Sequence, residues 1–84
     1  MVTTEKDVIT MYSTTWCSDC VRAKRFMDEH GIAYNEINIE QSPQAAQLVM
    51  QHNEGKRRVP TLHIDGRYYG NPPIRDLGRL LGVL

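Results

Sequence analysis

Residues 8–20 of this chain read VITMYSTTWCSDC, and this stretch decides the fold. The β-branched and aromatic residues at 8–12 predict a strand, and the Ser/Thr cluster after them ends it. A helix-like apolar pattern begins at Ser18, so Cys17 and Cys20 lie at a turn between a strand and a helix. This placement makes a dithiol redox centre the leading interpretation.

The predicted helix gives the two cysteines different roles. Cys17 at its start meets unpaired backbone N–H groups and the positive end of the helix dipole, which stabilise a thiolate. We therefore expect Cys17 to be the nucleophile and Cys20, one turn later, to be the resolving cysteine. The Asp19 carboxylate opposes thiolate formation, but screening weakens this effect if the side chain points to solvent. A zinc site is not expected, since the sequence has no second Cys/His pair at finger-like spacing.

Length and composition narrow the class of protein. With 84 residues the chain is expected to form a single domain, residues 1–84, with one small core. Ten basic and ten acidic residues give a net charge of zero, which argues against nucleic-acid binding and membrane binding. Residues 1–7 lack the basic and apolar regions of a signal peptide, and no apolar stretch approaches the ~18 residues that span a bilayer. We expect a cytoplasmic monomer.

The rest of the chain alternates helix and strand signals. Ser42 can cap a helix that begins at Pro43, and Asp65-Gly66 is a strong hairpin signal. Helices are predicted at 18–30, 43–54 and 74–81, and strands at 8–12, 32–39, 61–64 and 67–69. The order β-α-β-α-β-β-α predicts an α/β fold, in which three helices cover both faces of a four-stranded mixed sheet.

Two motifs, placed as they are in this order of elements, make the chain similar to a known family. The Cys17–Cys20 motif opens the first helix, and Val59-Pro60-Thr61 precedes the hairpin about forty residues later. With these motifs the chain resembles the glutaredoxins, of the thioredoxin-fold superfamily, over nearly its whole length. The resemblance implies a cis bond between Val59 and Pro60, with the Val59 backbone beside Cys17 to pair with a bound substrate.

Within that family the chain is most similar to proteins of the mycoredoxin kind. The segments that carry this likeness are Thr15-Trp16-Cys17, Ile32-Ala33-Tyr34, Arg58-Val59-Pro60-Thr61 and Asn71-Pro72. Mycoredoxins remove mycothiol from mixed disulfides, so the resemblance implies a low-molecular-weight thiol as co-substrate (mycothiol, glutathione or bacillithiol) and no tightly bound cofactor. Ser18-Asp19 replaces the Pro-Tyr of glutathione-dependent members, and Asn71-Pro72-Pro73 replaces their Gly-Gly and acidic residues. These departures argue against glutathione as the natural thiol.

Five further residues are candidates for binding the thiol or a substrate. The Arg58 guanidinium suits the carboxylates of a thiol or of an acidic partner, with a solvated basic loop as the alternative. Trp16 is interpreted as a docking surface beside the nucleophile. Asn71 is a candidate for contacting the thiol across the cleft, although turn chemistry explains its position equally well. Val59 and Pro60 are candidates through the resemblance.

Three functions remain open at this point. The leading hypothesis is a glutaredoxin-like thiol–disulfide oxidoreductase that reduces mixed disulfides or protein disulfides through Cys17 and Cys20. The second is an electron-donor redoxin, reduced by thioredoxin reductase, that serves ribonucleotide reductase. The third, ranked lowest, is an iron–sulfur cluster held between two subunits through Cys17 and a bound thiol. The implied partners are therefore a small thiol, disulfide-bearing proteins and a reductase.

Overall fold

A four-stranded mixed sheet with helices on both faces forms the structure, a computed structural model that describes residues 9–84. The predicted order of elements is confirmed, with one short 3₁₀ helix added after the second strand. The elements are β1 (Ile9–Ser13), α1 (Ser18–Glu29), β2 (Asn35–Asn38), the 3₁₀ helix (Ile39–Gln41), α2 (Pro43–Gln51), β3 (Thr61–Ile64), β4 (Arg67–Gly70) and α3 (Ile74–Leu80). The predicted first strand residue, Val8, and the residues considered for a signal peptide, 1–7, lie outside the described part of the chain.

The sheet has the strand order β2-β1-β3-β4. β1 pairs in parallel with β2 and antiparallel with β3, and β3 pairs antiparallel with β4. The β3–β4 hairpin closes at Asp65 and Gly66, whose φ angles of 52° and 81° are both positive. Positive φ at both central residues is the requirement of a type I′ turn, so the hairpin prediction is confirmed.

The two faces of the sheet carry separate apolar clusters. Because successive side chains of a strand point to opposite faces, Met11 and Tyr12 of β1 enter different clusters. The cluster under α1 and α3 contains Ile9, Met11, Ala23, Met27, Leu62, Ile64 and Leu77. The cluster under α2 contains Tyr12, Ile39, Ala45, Ala46 and Val49. The helices therefore cover both faces of the sheet, as predicted. The first turn of α1 follows shortly after the C-terminal end of β1.

The second strand is shorter than the predicted range 32–39. After α1 the chain turns through Gly31, at φ 68°, and the Ile32 N–H donates to the Met27 carbonyl at 2.9 Å, so residue 32 still belongs to the end of the helix. At the other end, Ile39 is buried in a 3₁₀ helix, and the Asn38 side chain accepts a hydrogen bond from the Glu40 N–H. Capping contacts on both sides of β2 therefore limit the strand to Asn35–Asn38.

The second helix starts where predicted and ends early. The Ser42 hydroxyl accepts a hydrogen bond from the Ala45 N–H at 3.2 Å, and Pro43 occupies the first helical position, which confirms the predicted start. The helix ends at Gln51 and not at Glu54, because Glu54 and Gly55 have φ angles of 59° and 84°. Their left-handed conformation breaks the helix and turns the chain toward β3. Across residues 9–84, none of the helices is long and apolar enough to cross a bilayer.

Candidate active site

Cys17 lies at the N-cap of α1, directly after the turn that leaves β1. Its backbone is extended, with φ −93° and ψ 109°, so the helix begins at the next residue. The Cys17 Sγ accepts a hydrogen bond from the Cys20 backbone N–H at 3.0 Å. The sulfur thus takes the capping position that a serine or aspartate oxygen commonly fills, where backbone donors and the helix dipole favour negative charge.

Cys20 lies one turn further into α1 and is more deeply buried. It is 1% exposed, against 7% for Cys17, and both are free thiols. Burial, with a hydrogen bond to Cys17, raises the pKa of Cys20 to about 12. The backbone N–H of Thr14 and the charge of Lys24 act in the opposite direction. A thiol in this environment is protonated at neutral pH, whereas the capped sulfur of Cys17 is placed to carry charge.

A groove at the first turns of α1 brings three distant parts of the chain together. The bond between Val59 and Pro60 is cis, as the resemblance implied, and Pro60 is buried. The Pro60 carbonyl accepts a hydrogen bond from the Asn71 N–H at 2.6 Å, which fastens the β4–α3 connection to the turn before β3. Asp19 from α1, Pro60 and Asn71 line the same cavity, of about 290 Å³.

The Asp19 carboxylate lies at the surface of α1 and has two polar partners there. Its carboxylate forms an ion pair with Arg22, one turn along α1. The Asn71 side-chain amide donates to the other carboxylate oxygen at 3.1 Å. Arg22 therefore offsets the charge that opposes a Cys17 thiolate, and the Asn71 contact spans the groove. Sequence spacing reveals the Arg22 pair, but the Asn71 contact joins residues 52 positions apart and carries no local signal.

Trp16 lies at the surface next to Cys17. Its side chain is 69% exposed, and the indole Nε1–H donates to the Glu40 carboxylate at 2.8 Å. The hydrogen bond holds the ring against the 3₁₀ helix and leaves most of its apolar area open. An exposed aromatic surface next to Cys17 in sequence is the arrangement that a docking role requires.

Arg58 lies apart from the groove. It lines a separate depression with His52, Asn53, Glu54 and Gly70. Its Cδ lies 2.6 Å from the position that a Cβ on Gly70 would occupy, so the arginine stem packs over that glycine. Val59 is half-buried beside α2, in contact with the cluster under that helix. The structure thus brings Asp19, Pro60 and Asn71 together and places Arg58 on a different part of the surface.

One polar cluster near Cys20 is not anticipated from the sequence. Lys24 lies one turn after Cys20 and forms an ion pair with Glu36 of β2 at 3.0 Å. Ser13, at the end of β1, donates to the same carboxylate oxygen at 2.7 Å. The four-residue spacing of Cys20 and Lys24 could have suggested their proximity, but the pairing with Glu36 depends on how α1 packs on the sheet.

The fold and the dithiol geometry correspond to a known family. A family model for glutaredoxins matches residues 9–69. The chain belongs to the glutaredoxin family. A protein of Mycobacterium tuberculosis whose name assigns it to the glutaredoxins is 42% identical over 65 residues, which cover 76% of this chain and 77% of that one. Mycoredoxin 1 of Corynebacterium glutamicum is 35% identical over 65 residues, covering 76% and 80% of the two chains.

A solved structure extends the comparison to the fold of the whole domain. The glutaredoxin-like protein NrdH-redoxin from Escherichia coli superposes with a TM-score of 0.75 at 26% identity, covering 87% of this chain and 93% of that chain. The thioredoxin-like architecture that the resemblance implied is therefore confirmed. With a Cys-X-X-Cys motif at the start of its first helix, this glutaredoxin is a thiol–disulfide oxidoreductase.

Proposed function

We propose that this glutaredoxin reduces mixed disulfides with the help of a low-molecular-weight thiol, and protein disulfides through both cysteines. Cys17 is the nucleophile and Cys20 is the resolving thiol. The observation that carries the assignment is the hydrogen bond from the Cys20 N–H to the Cys17 Sγ at the helix start, combined with the burial of the Cys20 thiol. One sulfur is held where negative charge is favoured, and the other is kept protonated until it is needed.

The first step is attack of the Cys17 thiolate on a disulfide R–S–S–R′. A bond forms between Cys17 Sγ and one sulfur, the S–S bond breaks, and the other sulfur leaves as a thiolate with the electron pair. In the monothiol route a small thiol then attacks the Cys17 mixed disulfide and releases Cys17. In the dithiol route Cys20 gives up its proton to solvent and attacks Cys17 Sγ, which expels the bound thiolate and leaves a Cys17–Cys20 disulfide.

Mycothiol is the thiol that we propose for the monothiol route. Support comes from the 35% identity to Mycoredoxin 1 and from the sequence segments that this chain shares with the mycoredoxin kind. The groove is lined by Asp19, which is two residues after Cys17 in the sequence, and by Pro60 and Asn71, so it offers a carboxylate, a proline ring and an amide to a thiol bound there. Val59 and the exposed ring of Trp16 are proposed to contact the substrate, and Arg58 an acidic part of a larger partner.

A panel of mixed disulfides tests this assignment. The reduced protein and its Cys20→Ser variant are offered one peptide in mixed disulfide with mycothiol, glutathione or bacillithiol, each with the matching free thiol. We expect the highest rates with mycothiol, activity of the Cys20→Ser variant on mixed disulfides, and loss of its activity on a protein disulfide. Cys17→Ser should abolish both reactions. Equal rates with all three thiols would contradict the choice of mycothiol, and turnover by Cys17→Ser would contradict the assigned nucleophile.

A second candidate function is electron donation to an enzyme, with a reductase as the source of electrons. It is favoured by the structural likeness to NrdH-redoxin and by the exposed Trp16 beside Cys17, a surface suited to a protein partner. The discriminating measurement is which reductant reopens the Cys17–Cys20 disulfide. Rapid reduction by thioredoxin reductase and NADPH, with slow reduction by mycothiol, would favour this function over the one proposed above.

A further inference from the structure

Ser13, Lys24 and Glu36 form a polar cluster, and its lysine lies one turn after Cys20 in α1. Lys24 Nζ lies 3.0 Å from Glu36 Oε2, and the Ser13 hydroxyl donates to that same oxygen at 2.7 Å. Ser13 is 2% exposed, so its hydroxyl cannot readily exchange this partner for water. The carboxylate is thereby held by the sheet, and it in turn holds the lysine of α1.

Both ends of this ion pair stay charged at neutral pH. The hydrogen bond from Ser13, with the contact to Lys24, lowers the pKa of Glu36 against the opposing effect of burial. The hydrogen bond to Glu36 raises the pKa of Lys24, and the nearby Tyr34 and Cys20 act in the same direction. The ammonium group is therefore a fixed positive charge at a position set by two other elements.

Cys20 has few groups around it that can stabilise a negative charge. Three residues bear on its ionisation besides burial: Cys17 disfavours the thiolate, and the Thr14 N–H and Lys24 favour it. Lys24 is the cation among these groups. Residues four apart on a helix have their Cβ atoms about 5–6 Å apart, whereas seven residues separate Lys24 from Cys17, an axial rise of about 10 Å. The positive charge of Lys24 therefore acts more strongly on Cys20 than on Cys17.

We propose that Lys24, positioned by Glu36 and Ser13, promotes the resolving step of the reaction by stabilising the Cys20 thiolate. The inference rests on the dithiol route of the proposed function. In that step the Cys20 S–H bond breaks and its proton passes to solvent. The thiolate then attacks Cys17 Sγ, the Cys17–substrate S–S bond breaks, and the substrate leaves as a thiolate with the electron pair. The target is reduced by two electrons and the Cys17–Cys20 pair is oxidised by two.

Rapid mixing with a neutral dipyridyl disulfide separates the two steps in one experiment. Attack by Cys17 releases one coloured thiopyridone at a rate that depends on reagent concentration. Attack by Cys20 releases a second at a rate independent of concentration, and Cys20→Ser should lack this phase. A neutral reagent avoids a direct attraction between Lys24 and the leaving group.

Lys24→Met should slow the second phase about three- to tenfold and leave the first phase within twofold, since a nearby cation shifts a pKa by a fraction of a unit to one unit when partly exposed. Arg25→Met is the matched control, because it removes a positive charge at the next, exposed position of the same helix. It should change neither phase by more than twofold. Lys24→Arg keeps the charge and should retain most of the second-phase rate.

The salt dependence of the second-phase rate distinguishes an electrostatic role of Lys24 from a purely structural one. Added potassium chloride should slow the second phase of the wild type and have little effect on Lys24→Met, because screening acts on the charge that the variant lacks. The double variant Lys24→Met/Glu36→Gln, which leaves no unpaired carboxylate, should also remain slow. This variant keeps the test valid if Lys24→Met alone fails to fold.

Two results would overturn the inference: a second phase in Lys24→Met equal to that of Arg25→Met, or equal slowing of both phases. These outcomes differ from a failure of the proposed function. If the wild type releases only one thiopyridone, the dithiol route fails and the inference fails with it. If the wild type releases two and Lys24→Met is unaffected, the inference alone is wrong.

Discussion

Cys17 and Cys20 are three residues apart at the start of one helix and are both buried, yet their polar surroundings differ. Cys17 caps the helix, receives a backbone hydrogen bond and adjoins an exposed tryptophan. Cys20 is 1% exposed, and its thiol is held neutral by burial. The difference shows how one motif creates two chemical environments: the first sulfur accepts a backbone hydrogen bond at the helix start, and the second lies among groups supplied by the surrounding fold.

The largest expected effect is the pH dependence of the resolving step, which reports the Cys20 half of this comparison. Burial is the largest cause of the raised pKa of Cys20, and it persists after Cys17 has formed a mixed disulfide. Below its pKa, the thiolate fraction grows tenfold with each pH unit, so the resolving rate should rise about a hundredfold between pH 6 and pH 8. Stopped-flow measurement of the second phase at pH 6 and pH 8 checks this, and a rate that changes less than about threefold would contradict it.

Asp19 offers a smaller effect, confined to the Cys17 side. Asp19→Asn removes a carboxylate near the nucleophile and leaves Arg22 uncompensated, so attack by Cys17 should become about two- to threefold faster. The control is Asp76→Asn in α3, since Asp76 and Arg79 form an ion pair with the same three-residue spacing away from the dithiol. The rate of the first phase is the measurement. An equal gain in the control would show that general charge, and not the position of Asp19, is responsible.

Substitution of Ser13 should give the smallest of these effects, and it concerns the polar cluster near Cys20. Its hydrogen bond is the largest cause of the lowered pKa of Glu36, so it contributes stability above the unfolded pKa near 4.3 and loses that contribution as pH falls through the lower folded value. Ser13→Ala should therefore lower the free energy of unfolding by up to about 1 kcal/mol at pH 7, with a smaller difference near pH 3. Urea unfolding at both pH values tests this. Ser18→Ala, at an exposed serine, is the control, and a deficit that grows in acid would contradict the assignment.

Local signals were sufficient for the order of elements and for the dithiol. The Ser42-Pro43 helix start, the Asp65-Gly66 turn and the placement of Cys17 before a helix each depend on residues close in sequence, and each is confirmed. The ranges predicted for β2 and α2 were too long. The prediction of β2 used alternating polarity and that of α2 used apolar spacing, and neither pattern shows where capping hydrogen bonds end an element.

The surroundings of the dithiol were predicted less completely. The contact between Asn71 and Asp19, and that between Glu36 and Lys24, join residues 52 and 12 positions apart. Both arise only once α1 has packed on the sheet, so no spacing rule contains them. The roles proposed for Trp16, Arg58, Val59 and Pro60 remain predictions.

Trp16 has one more consequence, which concerns observation of the reaction. It is the single tryptophan of the sequence, and it adjoins the sulfur that changes oxidation state. Sulfur groups quench indole emission to different degrees as thiolate, mixed disulfide and disulfide. The intrinsic fluorescence of this chain is therefore a built-in optical reporter of each redox intermediate, and it requires no added label.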